Sequence, residues 1–309
     1  MRWIFLIFLI SLPIRPQVSP ESWAKAIEAL LASGNLAAAQ QRVQQEIAAQ
    51  GETSSVLYYQ ARIRFEERRY GEALGLVQRS LAMAPADPEL YKLAALSAIR
   101  IDRLDIAEPA LQSAAELAPK DYLVHFHLGA LYYTKSLFLL ARPELEKAAQ
   151  LNPNYMPALL FLGLTLEEVG DEKATAATYR KAMELAAAQR SAKEMPYIYL
   201  GRFYYRMNRF ADGLQLLEKA VDINPGSGEG LLELGKTLHA LNRDSEAIPI
   251  LERAARADVQ DPEPHYLLFR ILESQGHEAA AQEELKRFQE QSRQRPAGDR
   301  ARRRLQNAP

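Results

Sequence analysis

The 309-residue sequence contains no cysteine. This absence excludes disulfide bonds, thiolate metal sites, a cysteine nucleophile and a lipid-modified N-terminal cysteine. Neither sign of charge dominates, since 38 lysine and arginine residues are balanced by 39 aspartate and glutamate residues, for a formal net charge of −1. A nearly neutral chain has no global electrostatic attraction to nucleic acid or to anionic membranes.

The sequence also lacks the short motifs that mark catalytic and cofactor sites. It has no G-x-S-x-G elbow, no phosphate-binding loop, no dinucleotide fingerprint and no H-E-x-x-H zinc motif. Its five histidines do not form a ligand set. His125 and His127 point to different sides of a helix, and His239, His265 and His277 are scattered. We therefore expect no catalytic residues, no metal and no cofactor.

Long hydrophobic runs are missing except at the N-terminus. Residues 1–14 read M-R-W-I-F-L-I-F-L-I-S-L-P-I, which is too short for the roughly 20 residues that a membrane-spanning helix needs. The run favours a secretory signal within residues 1–19, although residues 15–20 lack a clean A-x-A cleavage pattern. The alternatives are an uncleaved anchor at residues 3–14 and an apolar start that caps the first repeat. We expect a protein of a bacterial-type cell that is exported (periplasmic or secreted) or tethered to the membrane.

What the sequence does contain is a repeated helical hairpin. Residues 197–225 predict two short amphipathic helices separated by a polar break at residues 207–209. Pro225 ends the second helix, because proline disfavours helical continuation. Neither helix is long enough to be stable alone in water. Shifting the sequence by 34 residues superimposes the hairpin on itself, so each hairpin must bury its apolar face against its neighbours.

The repeat alternates small and large residues in fixed columns. The small column of the first helices holds Ala61, Ala95, Gly129, Gly163, Gly201 and Gly235. The large column of the second helices holds Val43, Val77, Leu111, Leu145, Tyr179, Leu217, Leu251 and Leu285. Small residues let two helices approach closely, so the two columns predict a tight seam within each hairpin.

A helix-turn-helix repeat with this period and these residues resembles the tetratricopeptide repeat family. The resemblance implies an all-α fold, a right-handed superhelical solenoid that would here contain about eight repeats. It also implies that the first helices line the concave side, that this groove holds another protein or a peptide, and that the chain has no catalytic activity.

The repeats extend over residues 20–291. The fifth repeat is four residues longer than the others, since Ala182 and its equivalent Ala220 are 38 residues apart. Its alanine-rich sequence predicts that the second helix continues over residues 185–192. Residues 292–309 are predicted to be a basic, disordered tail. The tail has no aromatic residues for base stacking, so we expect no nucleic-acid binding.

The candidate binding residues lie on the side of the first helices that faces away from the small column. They are Tyr58, Arg62, Phe126, Tyr133, Ile198, Arg202, Tyr205, Lys236, Tyr266 and Arg270. Three cations, Arg202, Lys236 and Arg270, recur every 34 residues and predict a ladder of positive charge. Such a ladder favours an extended partner segment with acidic residues and one or two apolar anchors. The alternative is that the aromatic residues only pad the superhelix and the cations are solvated.

The sequence therefore predicts an interaction scaffold that binds a partner protein or an extended peptide in its groove. An enzyme or enzyme subunit that uses the groove as a substrate site is one alternative, and a purely structural spacer is another. Membrane association through the N-terminal segment is a further expectation.

Overall fold

The computed structural model of the protein describes residues 20–188, 193–294 and 305–306. These residues form sixteen α-helices and no strand. The chain divides into two compact units, Met1–Ile101 and Asp102–Pro309, and each is described by itself. The prediction of an all-α repeat solenoid is confirmed.

The first unit contains two hairpins and one further helix. Its helices are α1 (Pro20–Ala32), α2 (Leu36–Gln50), α3 (Ser54–Glu66), α4 (Tyr70–Met83) and α5 (Pro88–Arg100). Trp23, Ile27, Val43 and Ile63 form a buried cluster where the hairpins meet. Consecutive hairpins therefore share a core, as stacked repeats must.

The second unit contains one further helix and five hairpins. Its helices are α6 (Leu104–Leu117), α7 (Tyr122–Thr134), α8 (Phe138–Leu151), α9 (Met156–Glu168), α10 (Glu172–Ala188), α11 (Met195–Arg206), α12 (Phe210–Ile223), α13 (Gly228–Ala240), α14 (Asp244–Ala257), α15 (Glu263–Ser274) and α16 (Glu278–Gln294). The third repeat of the sequence thus supplies α5 to the first unit and α6 to the second.

The small column of the first helices marks the closest approach within a hairpin. A Cβ atom added to Gly163 would lie 2.1 Å from Cε1 of Tyr179, and one added to Gly235 would lie 2.5 Å from Cδ2 of Leu251. The same contact joins Gly129 to Leu145 and Gly201 to Leu217. The predicted seam between the small and the large columns is therefore confirmed.

The turn inside each repeat places one residue in the left-handed backbone region. Gly34, Gly170 and Gly276 occupy this position with φ between 71° and 78°. Five non-glycine residues do so with φ between 57° and 60°, namely Arg68, Asp102, Ser136, Asn208 and Asn242. Glycine and asparagine adopt this conformation most readily, whereas arginine and serine adopt it under strain.

The second helix of the long fifth repeat does continue beyond the usual length. Helix α10 has 17 residues, compared with 14 in α8 and α12. Residues 185–188 are helical, and the rest of the predicted extension, residues 189–192, lies outside the described residues.

Two predictions about the chain ends fall largely outside the described residues. Residues 1–19, where a signal or anchor is predicted, are not among them. Across the described ranges, no helix combines the length and the apolar character needed to cross a bilayer. In the predicted tail, helix α16 extends to Gln294, and Leu305 is fully buried.

Candidate functional site

The candidate site lies on the first helices of the second unit. Helices α7, α9, α11, α13 and α15 lie side by side, each in contact with the next, and each packs against the second helix that follows it. We call the solvent-accessible side of the first helices in this layer the first-helix face. Most of the candidate residues predicted from the sequence belong to these five helices.

Two of the predicted residues are core residues. Phe126 and Ile198 are 0% exposed. Phe126 packs edge to face against Tyr155 and Phe161, with ring centroids 5.1 and 5.5 Å away, and Ile198 packs in a cluster with Leu164. The expectation that both line an open groove is corrected, because the neighbouring elements cover them.

Three predicted tyrosines are partly accessible. Tyr133 is half-buried, with its ring 5.8 Å from that of Phe161. Tyr205 is also half-buried, and Nζ of Lys236 lies 5.5 Å from its ring centroid. Tyr266 is 37% exposed, and one side of its ring packs against Phe288 of α16, with the ring centroids 5.2 Å apart. These rings offer apolar surface with a polar edge, which suits contact with a partner.

Arg202 is enclosed by protein groups. Its side chain is 17% exposed, Nη1 lies 3.2 Å from Oε1 of Glu229, and Nη2 lies 4.0 Å from Oε1 of Glu167. The guanidinium also stands over the ring of Tyr199, 4.8 Å from its centroid. Burial lowers the pKa of Arg202, but the carboxylates of Glu229 and Glu167 outweigh that effect and raise the pKa above its ordinary value.

Lys236 repeats this arrangement one hairpin later. Its Nζ lies 3.1 Å from Oε1 of Glu263 and 3.5 Å from Oε2 of Glu233. Glu263 follows Lys236 by 27 residues, as Glu229 follows Arg202. Arg202 and Lys236 are therefore each paired with a carboxylate of the next first helix. The prediction that they form a ladder of positive charge is corrected.

The third member of the ladder differs from the other two. Arg270 is exposed, and its Nη1 donates to the hydroxyl of Tyr266 at 3.3 Å. The hydrogen bond with Tyr266 raises the pKa of Arg270. The structure thus brings Ile198, Arg202, Tyr205 and Lys236 together on adjacent hairpins, followed by Tyr266 and Arg270 on α15. It does not form a row of free cations.

Sequence reasoning missed the buried carboxylate of Glu233. This residue is 2% exposed, and its Oε2 has no hydrogen-bond partner among the described residues. Burial raises the pKa of Glu233, while Lys236 and Arg202 oppose the shift. The equivalent positions in three other repeats hold Phe161, Tyr199 and Leu267. The carboxylate is the one acidic member of a mostly large, uncharged column, and that was the signal available in the sequence.

A cavity of about 300 Å³ opens where α9, α10 and α11 meet. Its lining residues are Glu167, Gly170, Glu172, Thr175, Phe203, Arg206 and Met207. The side chain of Glu167 is 3% exposed, accepts a hydrogen bond from the hydroxyl of Tyr179, and accepts another from Nη1 of Arg206 at 2.7 Å. The cavity therefore has a fixed carboxylate in its wall.

Two predicted residues, Tyr58 and Arg62, belong to the first unit. Arg62 forms an ion pair with Glu28 of α1, and its guanidinium carbon lies 5.8 Å from the ring centroid of Tyr58. Burial raises the pKa of Tyr58, and Arg62 partly offsets this. This cation, like Arg202 and Lys236, is already paired with a carboxylate.

Three of the histidines tie first helices to second helices, and Nδ1 of His239 on α13 lies 2.6 Å from Oδ1 of Asp244 at the start of α14. Nδ1 of His125 lies 2.6 Å from Oε2 of Glu144, and Nδ1 of His265 lies 2.6 Å from Oε2 of Glu284. Both contacts join positions 19 residues apart. Within the part of the chain that the structure describes, no group of three or more potential ligands is arranged to hold a metal ion.

Known repeat proteins match most of the chain. One model of the tetratricopeptide repeat matches residues 25–88 and 92–156, and a second matches residues 204–268. Over 73 residues the chain is 38% identical to Cell division cycle protein 27 homolog B of Arabidopsis thaliana. That alignment covers 24% of this chain and 10% of the relative, so only a tenth of the relative's length is matched.

Solved structures show the same fold at low sequence identity. The crystal structure of the APC/C hetero-tetramer Cut9-Hcn1 aligns with a TM-score of 0.66 at 16% identity, over 82% of this chain and 49% of that chain. The structure of YrrB, described as a TPR protein with an unusual peptide-binding site, aligns with a TM-score of 0.53 at 18% identity, over 61% of this chain and 95% of that one. The hairpin period, the packed seam and the repeat models, which together match more than half of the residues, agree: the chain belongs to the tetratricopeptide repeat family.

Proposed function

We propose that the chain is an interaction scaffold and that its first-helix face binds a partner protein or an extended peptide. The observation that carries the proposal is the continuous layer of the first helices α7, α9, α11, α13 and α15. This layer presents tyrosines and charged groups over successive hairpins. Tetratricopeptide folds support protein interaction in general. Cut9-Hcn1 is a hetero-tetramer and YrrB has a peptide-binding site, and these similar folds support the proposal.

The partner need not be acidic. Arg202 and Lys236, the cations on which that expectation rested, already have carboxylate partners in the folded chain. Half-buried Tyr205 and exposed Tyr266 supply aromatic contact area instead. Aromatic anchors commonly provide most of the binding energy at an interface, and charges mainly set its specificity.

Site-specific cross-linking tests the proposal. A photoreactive phenylalanine analogue at Tyr205 or Tyr266 reports contacts of the first-helix face, and the same analogue at exposed Lys219 on α12 serves as the control. After irradiation of cells that naturally express the protein, we expect discrete adducts from both face positions and none from Lys219. Equal adducts from all three positions, or none from the face, would contradict the proposal.

We also propose that residues 1–19 export the chain or tether it to the membrane. The support is the sequence, one basic residue followed by a mostly apolar run. A C-terminally tagged chain should appear in the periplasmic, secreted or membrane fraction, and deletion of residues 3–14 should return it to the cytoplasm. An intact chain found in the cytoplasm with or without the deletion would contradict export and tethering.

A further inference from the structure

The cavity between α9, α10 and α11 has more negative than positive groups in its lining. Two carboxylates, Glu167 and Glu172, line it together with one guanidinium, Arg206. Glu172 is exposed to solvent, whereas the side chain of Glu167 is 3% exposed and fixed by its hydrogen bonds. At about 300 Å³ the cavity is at the lower end of the range for ligand pockets, which suits one side chain.

A second excess of carboxylate lies one hairpin further along. Glu229, Glu233 and Glu263 are grouped with two cations, Arg202 and Lys236. Oε2 of Glu233 is buried and lacks a hydrogen-bond donor among the described residues, and Nζ of Lys236 at 3.5 Å is beyond good hydrogen-bonding distance. Because buried polar atoms are nearly always hydrogen-bonded, an orphan carboxylate oxygen indicates a missing donor.

Arg202 joins the two regions. Its Nη2 lies 4.0 Å from Oε1 of Glu167 in the cavity wall, and its Nη1 lies 3.2 Å from Oε1 of Glu229 in the second group. The cavity wall and the Glu233 group are therefore linked through one guanidinium group. A chain laid across α11 would pass both.

We propose that this surface selects a basic partner segment: a lysine or arginine side chain enters the α9–α11 cavity, and a second donor of the same segment reaches Glu233. Ammonium and guanidinium groups supply three and five N–H donors and accept none, and pairing with carboxylates gives charge-assisted hydrogen bonds. The inference rests on the proposed scaffold function and specifies the chemistry of the partner, which is opposite in sign to the partner expected from the sequence.

Three synthetic peptides provide the probe. They are fluorescein-labelled nonapeptides with one tyrosine, one leucine and four spaced glycine or serine residues in common, and they carry lysine, glutamine or glutamate at the remaining three positions. Fluorescence anisotropy with the full chain should give at least tenfold tighter binding of the lysine peptide than of the glutamine peptide. The glutamate peptide should bind most weakly, and moderate salt should reduce the lysine preference. A glutamine or glutamate peptide that binds as tightly as the lysine peptide would overturn the proposal.

Three variants localise the effect. Glu233→Gln and Glu172→Gln each remove one negative charge from the surface with little change of shape. Glu246→Gln removes the same charge from an exposed position on second helix α14. We expect at least a fivefold loss of lysine-peptide affinity for the first two and less than a twofold change for the third, with unchanged circular dichroism. Equal losses of affinity in all three variants would show that the lysine peptide is held by non-specific charge attraction, and this would overturn the proposal.

A spectroscopic measurement keeps the test independent of folding effects. With ¹³C-labelled glutamate, the carboxyl resonance of Glu233 reports its titration, and a bound lysine peptide should lower its pKa while that of Glu246 stays unchanged. The two proposals fail in different ways. Cross-linked partners without a lysine preference would leave the scaffold role intact and refute the basic partner, whereas failure of cross-linking from the face would refute the scaffold itself.

Discussion

Two regions of the second unit have different chemistry on their first helices. The region around α7 and α9 is aromatic, with Phe126 at its centre between Tyr155 and Phe161. The region around α11 and α13 is ionic, with Arg202 and Glu233 partly or wholly enclosed. Each region has one buried oxygen without a hydrogen-bond partner among the described residues, the hydroxyl of Tyr155 and Oε2 of Glu233.

This difference shows that the seam within each hairpin and the first-helix face can vary independently. Both regions have the same small-on-large contact, Gly129 on Leu145 in one and Gly235 on Leu251 in the other. The seam defines the hairpin, and the opposite side of the first helix is free to be apolar or charged. Aromatic packing there stabilises the fold, whereas a buried carboxylate costs stability unless it is fully paired. The ionic region is therefore the one whose chemistry suggests binding.

The largest expected effect is in the aromatic region. Phe126→Ala should destabilise the protein by about 3–5 kcal/mol, because it removes a fully buried ring and leaves a cavity. Phe126→Leu, which retains most of the volume, should cost less than about 1.5 kcal/mol. Urea unfolding followed by circular dichroism measures both. A loss below about 1 kcal/mol for Phe126→Ala would show that this region is not a core.

The next effect compares the seams of the two regions. Gly163→Ala should cost about 2–3 kcal/mol, because the new Cβ would lie 2.1 Å from a ring that is held by its hydroxyl. Gly235→Ala should cost less, about 1–2 kcal/mol, since Leu251 can change rotamer. The control is Gly75→Ala, where a Cβ meets nothing within 4 Å and helix propensity predicts a gain of up to about 1 kcal/mol. Equal costs at both seam glycines would remove the distinction between them.

A smaller effect concerns the ionic region and depends on pH. The pKa of Glu233 is raised above its ordinary value of 4.5, so the folded protein binds more protons than the unfolded chain in the window above 4.5. Stability from this group is therefore lost as the pH rises through that window. Glu233→Gln should gain stability relative to the parent as the pH rises from 4.5 and then reach a constant difference. Thermal unfolding of both proteins between pH 4 and 8 measures this difference in stability. A difference that does not change with pH would contradict the cost of burying the Glu233 carboxylate.

The smallest effect compares the turns of the two regions. Ser136 adopts φ of 58° in the aromatic region, and Asn208 adopts φ of 57° in the ionic region. Asparagine tolerates this left-handed conformation better than serine does. Ser136→Asn should therefore raise the free energy of unfolding by less than about 1 kcal/mol, and Asn208→Ser should lower it by a similar amount. Calorimetric melting temperatures test the pair, and shifts of the same sign would refute the backbone explanation.

The seam could be predicted from the sequence because it depends on local spacing and residue size. Small and large residues recur at one period, and two helices of a hairpin have few ways to pack such columns together. The ends of the helices follow less directly from the sequence, because proline does not always end a helix. Pro225 lies just after a helix, yet Pro143 and Pro249 lie inside α8 and α14, because packing against neighbouring helices outweighs the lost backbone hydrogen bond.

The candidate site was predicted only in part because its state depends on contacts between hairpins. The positions of Arg202 and Lys236 in one column were correct, but the partners Glu229 and Glu263 follow at an offset of 27 residues. Period matching at 34 residues does not find that offset. Burial of Phe126 could not be predicted either, because it depends on how closely Tyr155 and Phe161 approach from the next repeat.

Every extensive helix–helix contact in the second unit joins helices that are one or two places apart along the chain. Loop-closure entropy is therefore small at every step of assembly, and folding can begin at any hairpin and spread. The same locality lets the end of the array open without the middle, so backbone amides of α16, where Ala281 is buried and most other described positions are exposed or half-buried, should exchange with solvent fastest. A segment bound across α9 to α15 would couple hairpins that otherwise open separately, and slower amide exchange over all of them would record its presence.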